Sequence, residues 1–185
     1  MRPSDLAGSY QWNYRSQTPR RPDWFRQWPG GNRIAVTEKA AGERPLGYMS
    51  PGPRPSPYTL KLCASLGFKW NGDYGDSDVP YIIDVAGNRL VSVGYVRPAY
   101  SDNDILTLGL AGALEQLKDE FDAHYEEAER HPMKFRYAVH NFNGGRPGAA
   151  KVLENFLQYV KSHPGVWFCR CIDIAQYWLE QAKAG

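Results

Sequence analysis

The sequence predicts an α/β fold, a largely parallel sheet with helices laid on it and one inserted β-hairpin. Three observations predict it. First, Phe135–Gly148 (FRYAVHNFNGGRPG) alternates Phe135, Tyr137 and Val139 with Arg136, Ala138 and His140, then breaks at Gly144, Gly145, Pro147 and Gly148. A helical pattern starts at Ala149, so the stretch reads as a strand, a Gly-rich loop and a helix, half of a βαβ unit. Second, YIIDV and RLVSVGYV flank Ala86-Gly87-Asn88, which predicts a hairpin with a short Gly-Asn turn. Third, helical and strand-like stretches alternate along the remainder, the order that parallel sheets require.

In chain order, residues 1–32 are rich in Pro, Arg, Gln and Trp and lack a period. They read as an extended N-terminal arm, pinned by Trp12, Tyr14, Trp24, Phe25 and Trp28. RIAVT (Arg33–Thr37) reads as a short buried strand opening a domain that runs over 33–185, and 38–55 is loop by composition. Ser56 is placed to cap a helix with Pro57 at its first position, Leu60, Cys63 and Leu66 on one face and Gly67 as its stop. Phe68–Trp70 is a short strand.

Asp102-Asn103-Asp104 precedes a long helix in which Leu110, Leu114, Leu117, Phe121, Tyr125 and Ala128 recur at steps of three and four, until His131-Pro132. Val152, Leu153, Phe156, Leu157 and Val160 mark the next helix, ended by His163-Pro164-Gly165. VWFCR (Val166–Arg170) reads as an apolar strand. Ile174, Ala175, Trp178, Leu179 and Ala182 mark a last helix.

A net charge of +2 gives no electrostatic footprint for nucleic acid, so none is expected as a partner. No run reaches membrane-spanning length and the N-terminus lacks the apolar core of a leader, which points away from membranes and to the cytoplasm. Cys63, Cys169 and Cys171 are odd in number, and the one-residue spacing of the last two suits neither a bridge nor a zinc knuckle; reduced thiols are expected. Asp76 and Asp78 lie close enough to share a cation but lack the other ligands of a calcium loop, so a solvated turn is expected. His140, the last residue of its strand, would stand at the carboxyl end of the sheet, where sites in α/β folds lie, with Arg146 in the loop beside it. Two readings stay open for His140: a proton-transfer group, or a strand-end histidine that only bonds a neighbour.

WPGGNRIAVT (Trp28–Thr37), GYMSPGPRPSPYTLKLCASLGFKWNGDYGDSDVPYII (Gly47–Ile83), NDI (Asn103–Ile105), DEFDAHYEEA (Asp119–Ala128) and HNFNGGRPGAAKVLENFLQYVKSHPGVWFCRCIDIAQYW (His140–Trp178) together carry a resemblance. On these stretches the chain resembles the polysaccharide deacetylase family, the nodulation-protein-B-like domains, in the branch that includes allantoinase-like and peptidoglycan-deacetylase-like proteins. The GRPG loop, PGVWF and the terminal IA-x-x-W helix are the most specific of them. The resemblance implies a (β/α)7-type barrel that hydrolyses N-acetyl or related amides. It also implies a divalent metal, usually zinc, held by one Asp and two His, with a second Asp as base and a late His as acid.

The departures shape the expectation as much as the match. The Asp pair of the first strand is absent. No His-x-x-x-His exists, the four His being 124, 131, 140 and 163. About two βα units are missing between Thr37 and Gly47, which makes the expected architecture an incomplete (β/α)7-type barrel. By the resemblance, His140 takes the place of the acid and Asp73 that of the carboxylate that tunes it. Arg44–Tyr48 falls on the motif where an Arg orients the base and a loop N–H helps to hold an oxyanion, although Arg44 has no such base here. Arg44, Tyr48 and Arg146 are the expected substrate contacts. Asn141 and Phe142 stand where this branch carries a second His and a Pro. No metal ligands are assigned and no cofactor is expected. The expected function is a carbon–nitrogen hydrolase by descent with impaired catalysis, or a non-catalytic saccharide-binding or assembly module. The expected ligand is a saccharide or small amide. Open sheet edges left by the missing units predict a homo-oligomer.

Overall fold

The computed structural model describes residues 30–95 and 101–184, and the chain divides into two units at Arg44/Pro45. The expected arm and its aromatic anchors lie almost wholly outside the described residues. In the first unit the described part is one helix, α1 (Gly30–Ala41). It closes on Gly42, whose positive φ of 78° and N–H to the Glu38 carbonyl (2.8 Å) make a left-handed C-terminal cap. The strand expected at Arg33–Thr37 is therefore corrected to helix. A lone strand leaves its backbone groups without partners, whereas a helix satisfies them locally, and Ala35, Glu38, Lys39, Ala40 and Ala41 favour it.

The second unit holds the sheet. Its strands are β1 (Gly47–Tyr48), β2 (Trp70–Asn71), β3 (Tyr81–Val85) and β4 (Asn88–Ser92), in the order β1-β2-β4-β3. β1 pairs parallel with β2, and β2 parallel with β4. β3 and β4 form the antiparallel hairpin, with Tyr81 opposite Ser92 and Val85 opposite Asn88. Its turn is Ala86-Gly87, both at positive φ (51° and 81°), as a two-residue turn matched to strand twist demands. Asn88 belongs to the strand, one residue off the expected turn. The sheet is open, with β1 and β3 at its edges.

Among the described residues four helices accompany it: α2 (Thr59–Ser65), α3 (Asp104–Glu127), α4 (Pro147–Lys161) and α5 (Cys171–Ala184). α2 starts two residues later than Pro57, because Ser56 folds into a turn in which its hydroxyl meets Thr59 Oγ1 at 2.9 Å. α3 is broken at Gly109 (φ 69°, ψ 177°), so its first turn departs from the helical face. Leu106, Leu108 and Leu110 stay exposed, and burial begins at Ala113. Pro147 sits in the first turn of α4 as a proline should.

Among the described residues, two apolar clusters hold the second unit. Leu117 and Phe121 of α3 interlock with Val152, Phe156 and Val160 of α4, and Phe135 and Tyr137 pack against them. Val91 and Val93 meet Ala175 of α5, with Trp70, Ile82, Ile174 and Trp178 around them. Leu90, Val91, Ser92 and Val93 are each at most 2% exposed, so this strand is covered on both faces, the mark of an α/β layer.

Two expected strands form no ladder. Phe135–Val139 turns Phe135 and Tyr137 to the core as its alternation predicts, but makes only one parallel bridge, Ser101 with Ala138. Val166–Arg170 is irregular, with Trp167 57% and Phe168 51% exposed. Alternation fixes which side chains face inward; a ladder also needs a neighbouring strand, and none lies beside these segments among the described residues.

Phe156 is 3% exposed and its ring lies 6.2 Å from Phe121 and 5.5 Å from Phe135. Phe156→Ala should destabilise the protein by about 3–5 kcal/mol, read from the shift of its urea unfolding curve.

Candidate functional site

His140 and the loop that follows it are organised by one carboxylate. Asp102 is 1% exposed and stands just before α3. Its Oδ1 lies 2.5 Å from His140 Nδ1, while its Oδ2 accepts the backbone N–H groups of His140 and Gly144, both at 2.7 Å. The Gly144 N–H also lies 2.8 Å from the His140 carbonyl, which closes the loop into a tight turn. Gly144 is required here: a Cβ would strike Val139 and come within 2.9 Å of Asp102 Oδ2.

Burial alone would raise the Asp102 carboxyl. The hydrogen bonds from the His140 ring, the His140 N–H and the Gly144 N–H outweigh it and hold the group below its ordinary 3.8. Tyr137 shows the reverse, pushed up to about 12 by burial and then by the Asp102 charge. His140 is 40% exposed at its side chain. With Nδ1 held by a carboxylate, the imidazole is fixed in orientation and its other nitrogen can exchange a proton with a ligand. No described residue bonds that nitrogen.

Asp73 is buried in a different network. Its carboxylate accepts the Ser50 N–H (2.6 Å), the Ser50 hydroxyl (3.0 Å) and the Asn71 amide (3.1 Å). It links the segments after β1 and β2. The carboxylate bonded to His140 is thus Asp102, whereas Asp73 is spent on Ser50 and Asn71. Asp73 also borders a cavity of about 250 Å³ lined by Gly52, Pro53, Arg54, Gly75 and Tyr95. Cys63 lies against the same network, 3.9 Å from the Asn71 amide. Burial pushes its thiol up to about 11 against the opposing Asn71 hydrogen bond, so it is a packing group, not a nucleophile.

Arg136 sits at the carboxyl ends of three parallel strands. Its guanidinium donates to the Val93 carbonyl at 2.5 Å, lies 3.6 Å from Met49 Sδ and stacks 4.1 Å above the Tyr95 ring. No carboxylate pairs with it among the described residues.

The remaining expected contacts are dispersed. Tyr48 lies in β1, half-buried, its ring 6.2 Å from Phe68. Arg146 is exposed at the N-terminus of α4 and its Nε donates to the Phe142 carbonyl at 3.1 Å, so it braces the loop. Arg44 is exposed and belongs to the first unit. Asp76 accepts the Tyr81 hydroxyl, and Asp78 lies 3.1 Å from His124 Nε2; each has a protein partner.

Among the described residues no three His, Cys, Asp or Glu side chains converge as metal ligands would. The described residues do not fit the zinc centre that the resemblance implies, which needs about three protein ligands.

No protein-family profile matches the chain, and no curated protein matches it significantly. Solved structures do. The PuuE allantoinase aligns at a TM-score of 0.71 and 31% identity, over 80% of this chain and 50% of its own. A structure described as a polysaccharide deacetylase from Pseudomonas aeruginosa PAO1 gives the same TM-score, identity and coverage. One so described from Mycobacterium smegmatis aligns at 0.71 and 29%, over 80% of this chain and 54% of its own. The chain thus spans about half the length of the structures it matches.

The depressed Asp102 carboxyl makes a stability prediction. A folded-state value below the unfolded one contributes stability that is complete above 3.8 and is lost as pH falls through the folded value. Asp102→Asn should cost about 2–3 kcal/mol at neutral pH. Urea unfolding at descending pH should show the gap between variant and parent narrowing below 3.8. A gap that stays constant would mean that the ionised carboxylate is not its source.

Proposed function

Since the chain has the nodulation-protein-B-like polysaccharide deacetylase fold over about half the length of its neighbours, we propose that it is a deacetylase-like protein of impaired catalysis. By descent it is a hydrolase of carbon–nitrogen bonds other than peptide bonds, such as the N-acetyl groups of saccharides. Its secondary structure is read as part of a (β/α)7-type barrel, with the hairpin β3–β4 as the insertion. The observation that carries the reading is the Asp102–His140 pair, a proton-transfer group at the loop of a deacetylase fold, without converging metal ligands among the described residues.

In this reading His140 retains the acid's position. Asp102 orients its ring and keeps Nδ1 engaged, so that the other nitrogen meets the ligand. Asp73 holds the loop after β1, where a backbone N–H can face a carbonyl oxygen. Arg146 and Tyr48 shape the ligand site through the loop and the strand they brace. That no ligand set converges among the described residues favours a second reading, a non-catalytic module that binds a saccharide or small amide. No described helix is long and apolar enough to cross a membrane, and a cytoplasmic place is the accompanying proposal.

Acetate release from N-acetylated chitooligosaccharides, with and without added zinc, tests the reading. The expected result is release no faster than that of His140→Ala, with saccharide binding by calorimetry retained. Zinc-dependent release abolished by His140→Ala would overturn the impairment. Loss of both binding and turnover would leave assembly as the role.

A further inference from the structure

Phe142 stands two residues beyond His140, its ring 5.2 Å from the imidazole and tilted 35° to it, and it is 64% exposed. A singly exposed apolar residue is ordinary on a protein surface. Two things set this one apart, its neighbour and its support. The Phe142 carbonyl accepts Arg146 Nε at 3.1 Å. The N–H groups of Asn143 and Gly144 both turn back to the His140 carbonyl, at 3.1 and 2.8 Å. The Asn143 amide donates to Asn103 Oδ1 at 2.9 Å, which ties the loop to the segment carrying Asp102. The ring is thus presented by a braced backbone, not by a slack loop. Polar groups flank it. The exposed Asn141 amide has no partner among the described residues, and neither has the His140 nitrogen opposite the one that meets Asp102.

We propose that Phe142 is the stacking platform of this site, and that the ligand it selects is a saccharide ring rather than a small acyclic amide. The proposal rests on the reading of the His140 site given above and decides between its two ligand classes. A pyranose presents a flat face of C–H groups, whose slight positive charge suits the negative face of an aromatic ring. Its rim of hydroxyls needs donors and acceptors. Phe142 supplies the first, Asn141 and His140 the second. An acyclic amide has no such face and leaves most of the ring in water. With 5.2 Å between the ring centres, a sugar lying on Phe142 has its substituents within reach of the unbonded imidazole nitrogen. Phe142 is therefore a specificity residue: it transfers no proton, but sets which ring lies beside the group that can. A protein partner is disfavoured, because one ring between Asn141 and Asn143 is far less apolar area than a protein interface needs.

Calorimetric titration of the full chain with N-acetylchitotriose and, separately, with N-methylacetamide tests this in the parent and in Phe142→Ala, Phe142→Leu and Phe142→Trp. The expected result is saccharide binding that Phe142→Ala weakens about tenfold and Phe142→Trp retains. Phe142→Leu should lose as much as Phe142→Ala, although it stays apolar, because it has no ring face. N-methylacetamide should distinguish none of the variants. The sugar C–H signals should move upfield in proton NMR with the parent and stay in place with Phe142→Leu. Phe142 lies outside both apolar clusters, so far-UV dichroism should be unchanged in each variant. Saccharide binding that Phe142→Ala leaves intact would overturn the platform alone and keep the wider reading. Binding by Phe142→Leu equal to the parent's would also overturn it, since any apolar contact would then suffice. A parent that binds no saccharide would overturn the wider reading and the platform with it.

Discussion

The carboxylate of Asp102 is the constraint on which the rest of the site depends. It is taken out of water before α3 and held ionised by three donors, two of them backbone N–H groups across a turn. Those donors lie 38 and 42 residues away in sequence. One buried charge therefore fixes where the segment before α3 meets the loop before α4. Removing it would strand the His140 N–H and leave the Gly144 N–H only the His140 carbonyl, and a neutral substitute would weaken all three bonds. The imidazole is positioned by the same group that positions its loop, so orientation of the ring and folding of the loop are one event.

Much of the fold was legible in the sequence. The periods of α3, α4 and α5, the hairpin and the inward faces of Phe135 and Tyr137 follow from spacing alone, because each depends on residues within a few turns of one another. The failures share a cause. Arg33–Thr37, Phe135–Val139 and Val166–Arg170 have strand composition, but a strand is a relation between two segments, and composition does not say whether the second one is present. The break at Gly109 was missed because glycine is tolerated in helices and only its φ of 69° reveals the kink. In the site, His140 and the glycines after it stood out by position. Asp102 did not, since Asp102-Asn103-Asp104 looks like ordinary helix capping. Its signal was indirect: a loop as rich in glycine as 144–148 often needs room for a close neighbour, and Asp102 is that neighbour.

The sheet and the helix pair contribute different things. α3 and α4 join through a ring-rich cluster in which Phe121 lies within 6.2 Å of Phe135, Phe156 and Tyr159. The sheet end is held by polar links, Asp73 with Ser50 and Asn71, and by Arg136 spanning Met49, Val93 and Tyr95. Aromatic contacts tolerate small displacements; fully satisfied hydrogen-bond networks do not. The carboxyl ends of the parallel strands, where ligands of α/β folds bind, are accordingly the more sharply specified part of the unit.

The placement of α5 bears on how the chain is made. Two of the main contacts, β3 with β4 and α3 with α4, join elements adjacent in sequence, and such contacts close quickly. Among the described residues, the face of β4 that carries Val91 and Val93 packs against Ala175 and its neighbours, more than eighty residues later. During synthesis the hairpin can pair long before α5 exists, and its apolar face waits in solvent until residues 171–184 emerge. That interval is when nascent chains are most prone to stick to one another, so the demand on chaperones should fall at the last described helix rather than at the sheet.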